Sequence, residues 1–385
     1  MRDFVNRKSK LLQPSGIRKF FDIVRETEGA ISLGVGEPDF VTPWPIRSAA
    51  IASLQRGYTQ YTANRGMRPL LELIARYLEA RFSLSFDPAH ILVTVGASEA
   101  IDLTLRACVE PGDEVLLPDP SYVSYAPCVA LSDGVPVKVE CREEDGFRLT
   151  PQRLEAAITD KTKAIILTYP NNPTGAVMEE TALKQIAEII EKHDLLVISD
   201  EIYAELTYGQ HHVSIANIPD MYERTIVVNG FSKSHAMTGW RMGYLCGPAP
   251  LIKQMLKLHQ FGIMSAPTTS QYAAIEAMRN GDRDIEKMRD EYDGRRRYLV
   301  ENLRRIGLSC FEPKGAFYAF PSVAPSGLNG EDFAEKLLKE QKVALVPGSA
   351  FGDFGARNVR LSYATGMSAL SEAFERISNF MNSIK

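Results

Sequence analysis

The stretch NGFSKSHAMTGWRMGY, residues 229–244, surrounds one lysine with small and hydroxylated residues. Gly230, Ser232 and Ser234 flank Lys233, Gly239 and Gly243 follow it, and Arg241 completes the segment. A lysine on a solvated face has no need of such neighbours. An amine presented to a phosphorylated ligand does, because glycine and serine let backbone and hydroxyl groups approach anionic oxygens closely. Lys233 therefore reads as a candidate reactive amine. The competing reading is a surface lysine in a loop before a strand, and other parts of the chain must decide between them.

Three further segments end in residues of matching chemistry. ILVTV is followed by Gly96, Ala97 and Ser98 and then by the helical AIDLTLRAC. Free backbone N–H groups at such a strand-to-helix turn suit a phosphate dianion, although an ordinary helix cap has the same sequence. KAIILTYP runs into Asn171, Asn172, Pro173, Thr174 and Gly175, and LLVISDE ends in Asp200, Glu201, Ile202 and Tyr203. Taken singly, these are a Pro/Gly turn and a helix cap. Asp200, however, closes a run so apolar that its carboxylate is expected to be partly buried, and a buried carboxylate requires a cationic partner.

Asn172, Asp200 and Lys233 follow one another at about one strand-helix-strand unit each, so they can lie side by side at one sheet edge. A lysine amine, a carboxylate, neutral hydrogen-bonding groups and a phosphate cradle together describe one cofactor, pyridoxal 5'-phosphate (PLP). In this reading Lys233 condenses with the cofactor aldehyde, and Asp200 pairs with the protonated ring nitrogen. Asn172 and Tyr203 hydrogen-bond the ring oxygen. The phosphate takes the N–H groups of Gly96, Ala97 and Ser98 and the guanidinium of Arg241, which matches phosphate oxygens bidentately.

The elements that must hold these residues are legible as patterns. From about residue 91, short apolar runs (ILVTV, EVLLP, VPVKVE, KAIILTYP, LLVISDE, TIVVNGF, MGYLCGP) alternate with longer stretches of helical period. That alternation predicts an α/β domain with a mainly parallel, buried sheet flanked by helices. Beyond about residue 285 the pattern changes to a long charged helix followed by GAFYAF, VALVP, NVRLSYA and a terminal helix, as in a smaller α+β domain. The expected division is an N-terminal arm over 1–45 that belongs to the small domain, a large PLP-binding domain over 46–284, and the small C-terminal domain over 285–385. In such sheets ligands collect at the carboxyl ends of the strands, where the candidate residues fall.

Composition excludes several classes. The 385 residues are 45% apolar and 24% charged, with 44 Lys plus Arg against 48 Asp plus Glu. A formal net charge of -4 gives no electrostatic reason to expect nucleic acid or an anionic membrane as partner, so small molecules are expected. Cys108, Cys128, Cys141, Cys246 and Cys310 are scattered without CxxC spacing, which argues against a disulfide framework or structural zinc and fits a reducing cytoplasm. The basic N-terminus lacks the apolar core of a signal peptide, and no apolar run approaches the length of a membrane span. The GVG at 34–36 lacks the third glycine of a dinucleotide turn, and His211 and His212 lie in a polar loop without a partner ligand nearby, so no metal is expected.

LGVGEPDF, TVGAS, DPSYVSY, YPNNPTG, SDEIY, FSKSHAMTGWRMGY, GAFYAF and VRLSYA, in that order, resemble the class I/II aminotransferases, PLP enzymes of fold type I. The resemblance runs from about residue 15 to the C-terminus. It implies PLP on Lys233, Tyr122 stacked on the cofactor ring, Gly36 and Arg360 at the substrate α-carboxylate with Asn172 beside them, and Tyr61 reaching the phosphate of a neighbouring subunit in a homodimer with shared sites. Outside this context Tyr122 would be packing and Arg360 an exposed or ion-paired strand residue. Within it, an arginine at a strand end facing an amino-acid site has a carboxylate to bind. The chain departs from the pattern at Gly230, where many members carry a phosphate-binding serine, and Ser232 is the expected substitute, with Ser234 as the alternative.

The implied activity is transfer of an amino group between an L-amino acid (alanine, aspartate or aromatic) and a 2-oxo acid such as 2-oxoglutarate. A PLP-dependent carbon–sulfur lyase of the same fold is the nearest alternative. A PLP-binding regulatory protein is a further one, although it would need a DNA-binding domain for which no room is expected before residue 15.

Overall fold

The computed structural model describes residues 2–12, 24 and 27–384; residues 13–23, 25 and 26 of the expected N-terminal arm, with the start of the family-like stretch, lie outside the described residues. A short strand, β1 (Ile31–Ser32), precedes the apolar runs, which become β2 (Ile91–Thr94), β3 (Glu114–Asp119), β4 (Val135–Glu140), β5 (Thr162–Thr168), β6 (Leu196–Asp200), β7 (Thr225–Gly230) and β8 (Gly243–Cys246). These seven form one sheet in the order β2-β8-β7-β6-β5-β3-β4. Only β8 runs against its neighbours, pairing antiparallel with both β2 and β7, while the remaining pairs are parallel. The expected α/β architecture with a mainly parallel sheet is the observed one.

The strands lack polar–apolar alternation because both faces are covered. Ala164, Ile166, Ile198 and Val228 pack toward the helices Gly96–Cys108 and Ala249–Gly262. Ile165, Leu167 and Val197 point the other way, into a core shared with Leu183, Ile186 and Ile190 of the helix Glu180–Lys192. Register then aligns the ends: Thr168 of β5 lies opposite Asp200 of β6, and Asp200 opposite Val228 of β7. The carboxyl ends of three strands thus open on one side of the sheet.

The C-terminal part begins with the helix Asp282–Arg305, slightly ahead of residue 285. Its first turn carries Asp282 and Asp284 and its last turn Arg304 and Arg305, charges that complement the helix dipole. There follow β9 (Tyr318–Ala319), the helix Gly330–Gln341, β10 (Val343–Ala344), β11 (Val346–Pro347), β12 (Val359–Ser362) and the helix Met367–Ser383. β11, β12 and β9 form an antiparallel sheet, and β1 pairs in parallel with β10, Ile31 opposite Val343. Leu33 joins Leu299, Phe333, Phe374 and Phe380 in a core distinct from those under the large sheet. The segment just before the large sheet is thereby stitched to the C-terminal one, and its loop over residues 34–37 is carried across the carboxyl ends of the strands. Among the described residues no helix is long and apolar enough to cross a membrane.

Candidate active site

A cavity of about 630 Å³ opens where β5, β6 and β7 end, between the large sheet and the segment made of residues 35–37, β9 and β12. Gly36, Ala97, Ser98, Tyr122, Asn172, Asp200, Tyr203, Ser232, Lys233, Arg241 and Arg360 all line it. Of the residues singled out from the sequence, Gly96 lies just behind this wall and Tyr61 lies outside it, with 81% of its surface exposed.

Lys233 follows β7 directly, and its Nζ donates to the carbonyl of Gly36 at 2.7 Å. Burial brings its pKa down to about 8; Glu37 opposes the shift, and Arg360 and Arg241 reinforce it. Near neutral pH an appreciable fraction of the amine is therefore unprotonated and able to act as a nucleophile. Gly36 is glycine for a local reason, since a Cβ there would fall 2.7 Å from the hydroxyl of Tyr318.

Asp200 ends β6 with 5% of its surface exposed. Burial raises its pKa to about 6, against the hydrogen bonds it accepts from Tyr125 Oη (2.7 Å) and Ile202 N–H (3.2 Å). The carboxylate is ionised at neutral pH and has no side-chain cation in hydrogen-bond contact among the described residues. The site thus holds a desolvated anion facing a cavity, the setting in which a cationic ligand group is favoured.

Arg360, on β12, is buried with 2% exposure. Its Nη1 donates to Asn172 Oδ1 at 2.9 Å and its Nη2 to Gly34 O at 2.6 Å, while Nε is buried without a partner among the described residues. The guanidinium carbon lies 4.4 Å from the ring centroid of Tyr318 and 4.7 Å from that of Phe351. Burial lowers its pKa, and the nearby groups acting on it are tyrosines, with no carboxylate among them. A desolvated, unpaired guanidinium beside a cavity is a receptor for a small carboxylate.

The turn into the helix Gly96–Cys108 and Arg241 meet closely. Gly96 has φ +73°, and a Cβ on it would fall 2.6 Å from Arg241 Nη2. Arg241 itself has φ +53° and donates through Nη1 to Thr238 O at 3.0 Å. A guanidinium beside the N–H groups of a helix start is a cradle of the right chemistry for a phosphate. Of the two serines near the lysine, Ser232 lines the cavity, whereas Ser234 is engaged elsewhere, 2.8 Å from His235 Nδ1 and 3.4 Å from Gly230 O.

The glycines around Lys233 serve a different purpose from the one their spacing suggests. Gly230 and Gly243 are register partners in the β7–β8 pair. A Cβ on Gly230 would meet Gly243 Cα and Met242 O at 2.9 Å each, and one on Gly243 would come within 2.6 Å of Ala97 N. They let strand and helix backbones approach one another, and so bring the helix start beside Lys233. His212 also differs from the loop histidine of the sequence reading: its side chain is buried, 2.9 Å from the carboxylate of Glu201.

Sequence reasoning missed Tyr125, which holds Asp200, and Tyr318, whose hydroxyl lies 2.7 Å from that of Tyr203. Both stand inside segments already conspicuous, DPSYVSY and GAFYAF. What was lacking was a signal that Tyr125 as well as Tyr122, and Tyr318 within GAFYAF, face the site. Tyr122 lines the cavity with its ring edge-on to Tyr125, centroids 5.5 Å apart.

The model of the family Aminotransferase class I and II matches residues 28–377. The YugH protein of Bacillus subtilis is 51% identical over 383 residues, covering 99% of each chain. An aspartate aminotransferase of Pyrococcus abyssi is 45% identical over 379 residues, 97% of each. The solved structure of an aromatic aminotransferase from Pyrococcus horikoshii matches with a TM-score of 0.91 and 44% identity, over 94% of this chain and 99% of that one. Likeness at this level extends over nearly the whole chain, so the enzyme class comes with the fold: this protein is an aminotransferase and belongs to the class I and II family.

Proposed function

We propose that the protein is a PLP-dependent aminotransferase that exchanges an amino group between an L-amino acid and a 2-oxo acid at the cavity around Lys233. The observation that carries this reading is the convergence, in one cavity, of a lysine with pKa near 8, a buried carboxylate and a buried arginine without a carboxylate partner among the described residues. The residues present fit the cofactor. The gap left by Gly96 is filled by the Arg241 guanidinium, so the phosphate would meet that cation, the N–H groups of Gly96, Ala97 and Ser98, and the hydroxyl of Ser232. Tyr122 would stack on the ring, with Tyr203 and Asn172 at its oxygen and Asp200 at its nitrogen.

When bound, PLP supplies a ring that accepts the electron pair left at the substrate α-carbon. The chain's own residues do the rest. Arg360 holds the substrate carboxylate, with Asn172 and Gly36 at its side. Asp200, anionic at neutral pH, keeps the ring nitrogen protonated. Lys233 takes the α-proton and returns it on the far side of the exchange, a role suited to an amine that titrates near the working pH.

Aspartate, aromatic amino acids and alanine are the proposed donors and 2-oxoglutarate the proposed acceptor. A relative named aspartate aminotransferase and a solved structure named aromatic aminotransferase support these donors, and among the described residues no arginine besides Arg241 and Arg360 lines the cavity to single out a dicarboxylate. A screen of amino donors against oxo-acid acceptors tests the reading. A 2-oxo acid should form one-for-one with the new amino acid and disappear in Lys233→Ala. Release of ammonia in place of a second amino acid would refute transamination.

The working unit is proposed to be a homodimer with shared sites. Tyr61 and Phe261 are 81% and 89% exposed, and the segments that carry them adjoin, because Asn64 Nδ2 donates to Met264 O (2.8 Å) and Thr268 Oγ1 to Gln60 O (2.7 Å). Large aromatic side chains exposed on adjoining segments are most economically covered by a second copy. The division into residues 1–45 plus 285–385 and 46–284 is proposed on the β1–β10 pairing and on the packing of Leu33 with Leu299, Phe333, Phe374 and Phe380. A cytoplasmic location is proposed on the five unpaired cysteines.

A further inference from the structure

Behind Asp200, on the face of β6 turned away from the active site, lies a second polar cluster. Side chains alternate along a strand, so Ser199 and Glu201 share one face while Asp200 takes the other. Glu201 is 1% exposed, and its carboxylate meets three donors: Ser199 Oγ at 2.8 Å, Ser214 Oγ at 2.5 Å and His212 Nε2 at 2.9 Å. Its backbone is held as firmly, with its N–H on Val228 O of β7 (2.8 Å) and its carbonyl accepting from Ala204 N–H (2.9 Å). The loop that leaves with Tyr203 and returns with His212 and Ser214 is therefore closed onto one buried carboxylate. The His212 ring is edge-on to Phe82, centroids 5.7 Å apart, and borders a second cavity of about 630 Å³ outside the active site.

A buried carboxylate satisfied by three donors from different directions has one favoured orientation, and losing a donor leaves it undersolvated. We propose that Glu201, fixed by His212, is the positioning residue for Asp200. It anchors the strand end from behind, so that the Asp200 carboxylate stays on Tyr125 and faces the active-site cavity. The proposal rests on the reading of Asp200 as partner of the PLP ring nitrogen. Neither Glu201 nor His212 lines the active-site cavity, so their loss acts through Asp200. It weakens cofactor binding and turnover and spares the substrate affinity that Arg360 sets.

The test compares His212→Ala, His212→Gln and Glu201→Gln with Asp200→Ala in the full-length protein. It measures the PLP Kd of the apoprotein by absorbance titration, kcat and KM with saturating PLP, and unfolding by circular dichroism. His212→Ala is expected to weaken PLP and lower kcat about tenfold each, the scale seen when a partner that orients a ligand-binding residue is removed, with KM within about twofold of the parent. His212→Gln should recover most of both, because its Nε2 can replace the histidine's. Added imidazole, admitted through the second cavity, should partly restore His212→Ala. Parent-like PLP affinity and kcat in His212→Ala beside an impaired Asp200→Ala overturns the positioning role and leaves the Asp200 reading standing. A parent-like Asp200→Ala overturns that reading instead. Loss of KM in step with kcat, without rescue by glutamine or imidazole, marks general damage and also overturns the role. Should His212→Ala fail to fold, Glu201→Gln, which keeps the side chain's volume, decides: weaker PLP with unchanged KM supports the proposal, and unchanged PLP affinity defeats it.

Discussion

Arg360 on β12 and Asn172 in the turn that follows β5 are joined by a 2.9 Å hydrogen bond from the guanidinium Nη1 to the amide oxygen. The bond orients the arginine without neutralising it, since an amide carries no charge. A desolvated cation held in place by neutral groups is primed for an anion.

Arg360→Leu should therefore weaken amino-acid and oxo-acid substrates alike, by about 2–5 kcal/mol, the loss typical of removing one member of a buried, hydrogen-bonded charge pair. Arg360→Lys should remain well below the parent, because an ammonium cannot offer the two-pronged fork. Cofactor content should not change in either. Substrate titrations of the purified variants check this, and loss of PLP with substrate affinity kept would reassign Arg360 to structure.

Asp200 gives a pH dependence with a definite sign. Burial raises its folded-state pKa to about 6, above the unfolded value, so in the apoprotein the neutral form is favoured by folding. Its contribution is fully present below the unfolded pKa and is lost as pH rises through about 6. At pH 7 the ionised carboxylate thus opposes folding by an amount on the order of 2–3 kcal/mol. Asp200→Asn, which still accepts from Tyr125, should stabilise the apoprotein at neutral pH and lose that advantage near the unfolded pKa. Urea unfolding at the two pH values measures it, and an equal difference at both would show that burial is not the cause.

Gly230→Ser restores the residue that many members of the family use for phosphate, yet here it should harm. A Cβ at 2.9 Å from Gly243 Cα and Met242 O meets backbone atoms that cannot rotate away. A loss of about 1–3 kcal/mol of stability is expected, as for overpacking, with no gain in PLP affinity. Thermal unfolding and cofactor titration would settle it; tighter PLP in a stable variant would mean that the strands can separate enough to admit the side chain.

Tyr61 is 81% exposed and does not line the cavity of its own chain, so its proposed contact with a phosphate is one made in a second copy. A negative charge there should repel that phosphate, and Tyr61→Asp chains should be poorly active alone, as should Lys233→Ala chains. Mixed and allowed to exchange, they form heterodimers in which one site has both an intact Lys233 and an intact Tyr61. Activity should partly return. No recovery with chain exchange verified by mass spectrometry would rule out the shared site.

Sequence alone determined the strands of the large sheet and the residues that end them. Strand runs are local, and a mainly parallel sheet aligns its carboxyl ends, so Asn172, Asp200 and Lys233 had to fall near one another once the runs were recognised. Family order then supplied Gly36, Arg360, Tyr122 and Tyr61. The tertiary structure decided what local pattern cannot encode. Which of Tyr122 and Tyr125 holds Asp200, and which of Ser232 and Ser234 faces the cavity, depends on a side chain's direction in an irregular turn, where no period of 2 or 3.6 applies. Gly230 and Gly243 are glycines because two strands and a helix start meet there, a contact between segments far apart in sequence. The same holds for His212, a loop residue that gains its partner only because the chain folds Glu201 beneath it, and for the pKa values of Lys233 and Asp200, which are set by how completely distant segments exclude water from each group.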